Sequence, residues 1–249
     1  RRMINRGCIA ACVQGLIRNA GRLALALAAL LLATGIAAAE MVEVAPGVQV
    51  TKKTYAKAPV AEQPFFGFAE KTAEQRDADA KFIAEVTVAA GSKEKAFEAI
   101  MLRGWKAMTV NRPRDAARRF NQAYLLSPEQ SSVYHGFAMV AQARFNDLDY
   151  AEELFKLALK QPSPLKALNA DYGRVLLMAQ RFKEAQPVLE QAVVDSPDNG
   201  DAWATLAFAR MKNGNNAAAC AAADEAAHRK LSLDTSRDLV FIRRDAQCH

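Results

Sequence analysis

From Lys71 onward the apolar positions fall three and four residues apart, the spacing of helices. Ala80, Ile83, Ala84 and Thr87 predict one helix over residues 71–91 that stops near Gly91, with Ser92 as the N-cap of the next. Beyond it a longer period takes over. The run Ala116, Phe120, Ala123, Pro128 returns as Ala151, Phe155, Ala158, Pro162 and again as Ala185, Leu189, Ala192, Pro197, its leading alanines 35 and 34 residues apart. Self-similarity at that distance signals stacked supersecondary units instead of one globular core. The predicted units are residues 97–130, 131–165, 166–199 and 200–233, each two helices joined by a short turn. Within a unit, the alanine, the large residue four later and the alanine three beyond share one helix face, so small residues admit a neighbour and the large one fills the gap. Turns are predicted around Asn111-Arg112-Pro113, Asn146 to Asp149, Gln180-Arg181 and Asn213-Gly214-Asn215-Asn216, residue types that end helices or tolerate unusual backbone angles.

These residues resemble the tetratricopeptide repeat family. Gly104, Ala116, Phe120, Ala123 and Pro128 fit its pattern in the first unit, and Tyr134, Phe137, Ala138, Ala151, Phe155 and Ala158 in the second. Gly173, Ala185, Leu189, Ala192 and Pro197 fit in the third, and Trp203, Leu206 and Ala207 open the fourth. There Ala219, Ala223 and Ala226 keep the spacing, but the large residue is lost and Leu231 replaces the proline, as expected of a terminal unit without a further neighbour. The resemblance implies an all-α right-handed superhelix of about four helix-turn-helix units over residues 92–233. Residues 71–91 and 234–249 would flank it as capping helices, Leu239 and Ile242 packing on the last unit while Arg237, Asp238, Arg243 and Arg244 face water.

The first 39 residues read differently. Arg1, Arg2, Arg6, Arg18 and Arg22 come without an acid, residues 23–36 are apolar, and Ala37-Ala38-Ala39 offers a small-residue cleavage pattern before Glu40. Together these predict an export signal and a periplasmic or otherwise exported protein; the alternative is an uncleaved membrane anchor, at the short limit for a span. Removing the segment changes the charge picture, because 28 basic residues then face 27 acidic ones, a net of +1. The basic character thus belongs to the leader and gives no footprint for nucleic acid. Residues 40–70, punctuated by Pro46, Gly47, Pro59, Pro64 and Gly67, are expected to be extended. Phe65, Phe66 and Phe68 stand out there, and are expected to dock on the first units or on a partner.

Of four cysteines, Cys8 and Cys12 lie in the leader, while Cys220 and Cys248 form an even pair suited to a disulfide in an oxidising compartment, with two free thiols as the alternative. No catalytic, cofactor or metal constellation is expected. His135, His228 and His249 are isolated, and there is no glycine-rich phosphate loop, no Gly-x-Ser-x-Gly and no Cys-x-x-Cys. Function is expected on a surface. By the resemblance, the first helix of each unit lines a concave groove, which places Met101, Trp105 and Met108 there from the first unit. His135, Met139 and Gln142 follow from the second, Ala170, Arg174 and Leu177 from the third, and Ala204, Phe208 and Met211 from the fourth. Such an apolar trough implies a protein partner, unless the chain covers it itself. The lysine and asparagine positions by which some members grip a terminal carboxylate hold Met101, Trp105, Gly136, Ala167 and Asp171 instead, so a helix or extended apolar segment fits better. The expected function is a non-enzymatic adaptor in the cell envelope; an accessory subunit of an envelope enzyme, such as a peptidoglycan hydrolase or protease, is the alternative.

Overall fold

The computed structural model describes residues 40–248. The expected signal segment, residues 1–39 with Cys8 and Cys12, lies outside the described residues. The remainder is a helical-repeat solenoid with a short hairpin at its start. Its ten helices are α1 (Ala73–Ala90), α2 (Lys93–Thr109), α3 (Pro113–Leu126), α4 (Ser131–Phe145), α5 (Leu148–Lys160), α6 (Leu168–Met178), α7 (Phe182–Asp195), α8 (Gly200–Lys212), α9 (Asn216–Ala227) and α10 (Leu233–Asp245). Helices α2 to α9 form four antiparallel pairs, each packed on the next, with α1 against α2 and α10 against α8 and α9.

Local signals set these boundaries. Thr72 and Gln75 cap α1 reciprocally, and Gly91 ends it in a left-handed conformation. Ser92 accepts the Lys95 N–H at the start of α2; Asp147, Asn199, Asn215 and Ser232 do the same for α5, α8, α9 and α10. The four turns inside the pairs share one device. Asn111, Asn146, Gln180 and Gly214 each sit at positive φ, between 51° and 79°, one to three residues before the second helix of the pair begins. Asparagine and glycine tolerate that region well; glutamine does so at a cost of about 1–2 kcal/mol.

The recurring large residue acts as a knob between units. Phe120 of α3 is fully buried against Gly104 of its own unit and Gly136 of the next. A methyl group at Gly136 would stand 2.8 Å from the Phe120 ring, and one at Gly104 would overlap it, so both sites must lack a side chain. Leu189 stands in the same relation to Gly173 in the third unit. In the second unit Ala138 occupies the glycine place opposite Phe155, and in the fourth Ala207 faces the alanine face of α9. With Ala202, Ala204 and Ala209 on α8 and Ala219, Ala222, Ala223 and Ala226 on α9 all buried, that last pair is packed largely by methyl groups around Leu206. The connection from α5 to α6, residues 161–167, holds Pro162, Ser163 and Pro164 in exposed positions, and the joint it spans is the thinnest between successive units.

Residues 40–70 are not merely extended. Strands β1 (Met41–Ala45) and β2 (Val48–Thr51) pair antiparallel in the register Val42 to Val50, with an irregularity between Glu43 and Ala45. Val44, Ala45, Val48 and Val50 are buried. Two short turns follow, Val60–Glu62 and Pro64–Phe68, the second left-handed with φ from 53° to 59° at Phe65, Phe66, Gly67 and Phe68.

Candidate functional site

The twelve residues expected in the groove divide between two different environments. In the first two units the side chains fill the space themselves. Met101 and His135 are buried, at 5% and 1% exposure, and do not line an open surface. His135 lies between Trp105 and Phe155, ring centroids 4.7 and 5.5 Å away, and its Nε2 is 3.0 Å from Asp171 Oδ2 of the third unit. Trp105 turns its edge toward Phe120 at 5.2 Å. Met101 and His135 therefore serve as packing, His135 bridging Trp105 of α2 and Asp171 of α6. Trp105, Met108, Met139 and Gln142 are half-buried beside them.

The third and fourth units behave otherwise. Arg174 and Leu177 on α6, and Phe208 and Met211 on α8, come together in one cavity of about 630 Å³. Ala204 is in its floor, whereas Ala170 is buried elsewhere. The opposite wall was not anticipated. It comes from α10, which contributes Phe241 and Ile242 together with Asp234, Thr235, Asp238 and Asp245. Phe241 is 54% exposed, an aromatic ring beside an open apolar floor. Leu239 and Ile242 anchor α10 to the array. Cys220 of α9 and Cys248 are joined by a disulfide that closes 28 residues and holds the end of that wall. Arg243 on α10 also pairs with Asp224 on α9.

The segment before α1 occupies the first units at a different place. Asn121 on α3, fully buried, donates from Nδ2 to the carbonyls of Gln63 (2.7 Å) and Ala61 (3.1 Å) and accepts the Phe66 N–H at 3.0 Å. Phe65 is buried among Tyr124, Tyr134 and Phe137. The phenylalanines thus dock in cis, and burial of Phe65 with these backbone bonds offsets the left-handed turn that carries it. Tyr55 stacks on Phe145 at 3.6 Å, while its hydroxyl and Lys53 both reach Asp147.

Charge is used to join units. Burial alone would raise the Glu62 carboxyl, but hydrogen bonds and charge from Arg144 and Arg118 outweigh it and hold the group below the usual carboxylate range. Asp147 is likewise lowered, Lys53 and the Tyr150 N–H overcoming its burial. Glu152 on α5 is drawn down to about 2, because hydrogen bonds from Arg181, Lys156 and Tyr172 outweigh its desolvation. Since Tyr172 lies on α6 and Arg181 precedes α7, Glu152 is the main polar tie across the thin joint. Burial raises the hydroxyls of Tyr55 and Tyr150 well above the usual phenol range. No group of three or more His, Cys, Asp or Glu side chains suited to a metal occurs among the described residues. None of the described helices is long and apolar enough to cross a membrane.

Stacked helix pairs, with a cavity along the first helices of the last two, define a helical-repeat fold. Residues 176–230, from the end of α6 through α9, match the tetratricopeptide repeat family model, and the helix pairs before them share the same architecture. No curated protein matches the chain. Among solved structures it is similar to PilF of Pseudomonas aeruginosa, with TM-score 0.54 and 16% identity over 62% of this chain and 71% of that one. It is also similar to PilW, described as a widely conserved type IV pilus biogenesis factor, with TM-score 0.50 and 18% identity over 69% and 84% of the two chains. MamA from Desulfovibrio magneticus RS-1, residues 41 to the end, gives TM-score 0.50 and 21% identity over 64% and 89%. At these identities the likeness is one of fold.

Proposed function

We propose that the protein is a non-enzymatic adaptor of the cell envelope that holds a segment of a partner protein in the groove formed by α6, α8 and α10. The observation that carries this reading is the open cavity itself, where Leu177, Phe208, Met211 and Phe241 converge without a covering element. Apolar surface of this kind marks a contact with another protein. The envelope setting is supported by the basic, apolar segment before Glu40 and by the Cys220–Cys248 bridge, which suits an oxidising compartment. That a tetratricopeptide-repeat fold like this one occurs in a pilus biogenesis factor is consistent with a role in assembling an envelope or secretion machine.

Photocrosslinking residues placed at Phe208 and Phe241 in living cells test the groove, with Lys57 on another face as control. Capture of one discrete partner from the groove positions alone is expected; equal capture from Lys57, or none, removes the assignment. Capture of a hydrolase or protease would turn the reading to an accessory subunit of that enzyme. Mass analysis of the fractionated protein tests the setting. A mature chain beginning at Glu40 outside the cytoplasm is expected, and an intact cytoplasmic chain rejects export.

A further inference from the structure

The apolar floor of the groove carries an uneven charge. Its lining holds four carboxylates, Asp201, Asp234, Asp238 and Asp245, and two cations, Arg174 and Lys212. This net of −2 stands in a chain whose residues from Glu40 onward total +1, so the acidity is local to the groove. The cations are engaged. Arg174 pairs with Asp171 at 3.3 Å, and Lys212 lies over the Phe208 ring at 5.3 Å from its centroid. Two of the acids are more available. Asp238 has no ion-pair partner among the described residues and Asp234 has only Arg237 at 3.9 Å between two well-exposed side chains, whereas Asp245 pairs with Arg244 at 2.7 Å and Asp201 accepts a backbone N–H from Ser232. Three of the four, Asp234, Asp238 and Asp245, sit on α10 beside the exposed Phe241 ring.

A ligand that satisfies both surfaces must be apolar along one stripe and positive along its flank. A cavity of about 630 Å³ walled by α6, α8 and α10 suits a helix with anchors at three- and four-residue spacing, each anchor entering between Leu177, Phe208 and Phe241. Resting on the reading of this groove as the partner site, we propose that its occupant is a cationic amphipathic helix. Its leucine- or phenylalanine-like stripe lies on α6 and α8, and its lysines or arginines face Asp234 and Asp238. An acidic or neutral helix would leave those carboxylates partly desolvated without a counter-charge. Because α10 supplies the acidic wall and the Cys220–Cys248 bridge retains the end of α10, binding of the cationic helix also requires the bridge.

The test uses the full oxidised chain and three fluorescein-labelled peptides of about 14 residues. All share one leucine stripe, and their polar positions are all lysine, all glutamine or all glutamate. Fluorescence anisotropy is expected to show the lysine peptide binding about ten-fold or more tighter than the glutamate peptide, with the gap narrowing as salt rises from about 0.05 M to about 0.5 M. Asp234→Asn with Asp238→Asn should abolish the preference for lysine, and Phe241→Ala should weaken all three peptides. These side chains are exposed, and circular dichroism confirms that the variants stay folded. Equal binding of lysine and glutamine peptides overturns the cationic assignment but leaves the groove. Failure of all three to bind overturns the groove reading itself, and lysine-peptide affinity unchanged in both variants places binding elsewhere. Undiminished binding after reduction of the bridge rejects its part in the site.

Discussion

The first two repeats and the last two solve the same packing problem in opposite ways. In the first half, aromatic knobs stack from unit to unit, Phe120 into Gly104 and Gly136, His135 between Trp105 and Phe155, and the groove is consumed by the scaffold. In the second half the knob shrinks to Leu189 in the third unit and is lost to alanine in the fourth, where α8 and α9 pack largely through methyl groups, and the groove stays open. Each half is then closed by a different tie. The first is clasped by the segment preceding α1, through Asn121 and Phe65, and the second is stapled by Cys220–Cys248. Bulk invested in stacking is therefore unavailable for recognition, and a half stacked on small residues needs a covalent or charged brace to hold its binding surface.

Four measurements test this contrast. Phe120→Ala removes a fully buried ring from the seam of two units and is expected to cost about 3–5 kcal/mol by urea denaturation. A loss under 1 kcal/mol would show that the first half does not depend on its knob. Cys220→Ser with Cys248→Ser, or reduction of the native protein, removes a 28-residue closure and is expected to cost about 3–4 kcal/mol on the chain-entropy account. Amide exchange should place that loss in α8, α9 and α10, leaving α3 and α4 protected. Asn121→Ala strips partners from two carbonyls and one N–H of the clasp, an expected cost of about 2–3 kcal/mol, accompanied by new proteolytic cleavage between residues 52 and 58. Resistance to cleavage would mean that Phe65 and Tyr55 hold the clasp alone.

The fourth is a pH profile. Glu152 has a folded-state value of about 2, below the ordinary glutamate value near 4.3 that it regains on unfolding. Its contribution is therefore complete above about pH 5 and is lost as the pH falls toward 2. Glu152→Gln should flatten stability in that window and lower it near neutrality. An unchanged acid limb in the variant would assign acid sensitivity to Glu62 and Asp147 instead.

The repeat architecture was legible in the sequence because a unit must present small and large residues at the same places each time, and Ala116, Ala151 and Ala185 report that directly. The turns were legible for the same reason, down to Asn111 and Asn146. Residues 40–51 were not, because the alternation of Val42, Val44, Val48 and Val50 is short and broken by Pro46 and Gly47, which masked a hairpin as loop. The groove was legible only in its floor. Position within a repeat identifies which face a residue occupies but not whether neighbouring bulk has closed that face, so Met101 and His135 were assigned to a surface that packing removes. The wall from α10 lies outside the period and left no repeating signal; the three acids and the apolar residues after Leu231 were the available sign.

The exposed connection at residues 161–167 divides the chain into parts that each carry their own fastening. Repeat arrays ordinarily fray from their tips inward. Here both tips are tied down, the clasp at one and the disulfide at the other, so the backbone break that the protein best tolerates lies in its middle. A single proteolytic nick at Ser163 is expected to leave two fragments that remain associated at neutral pH through Glu152, Tyr172 and Arg181, and that come apart in acid.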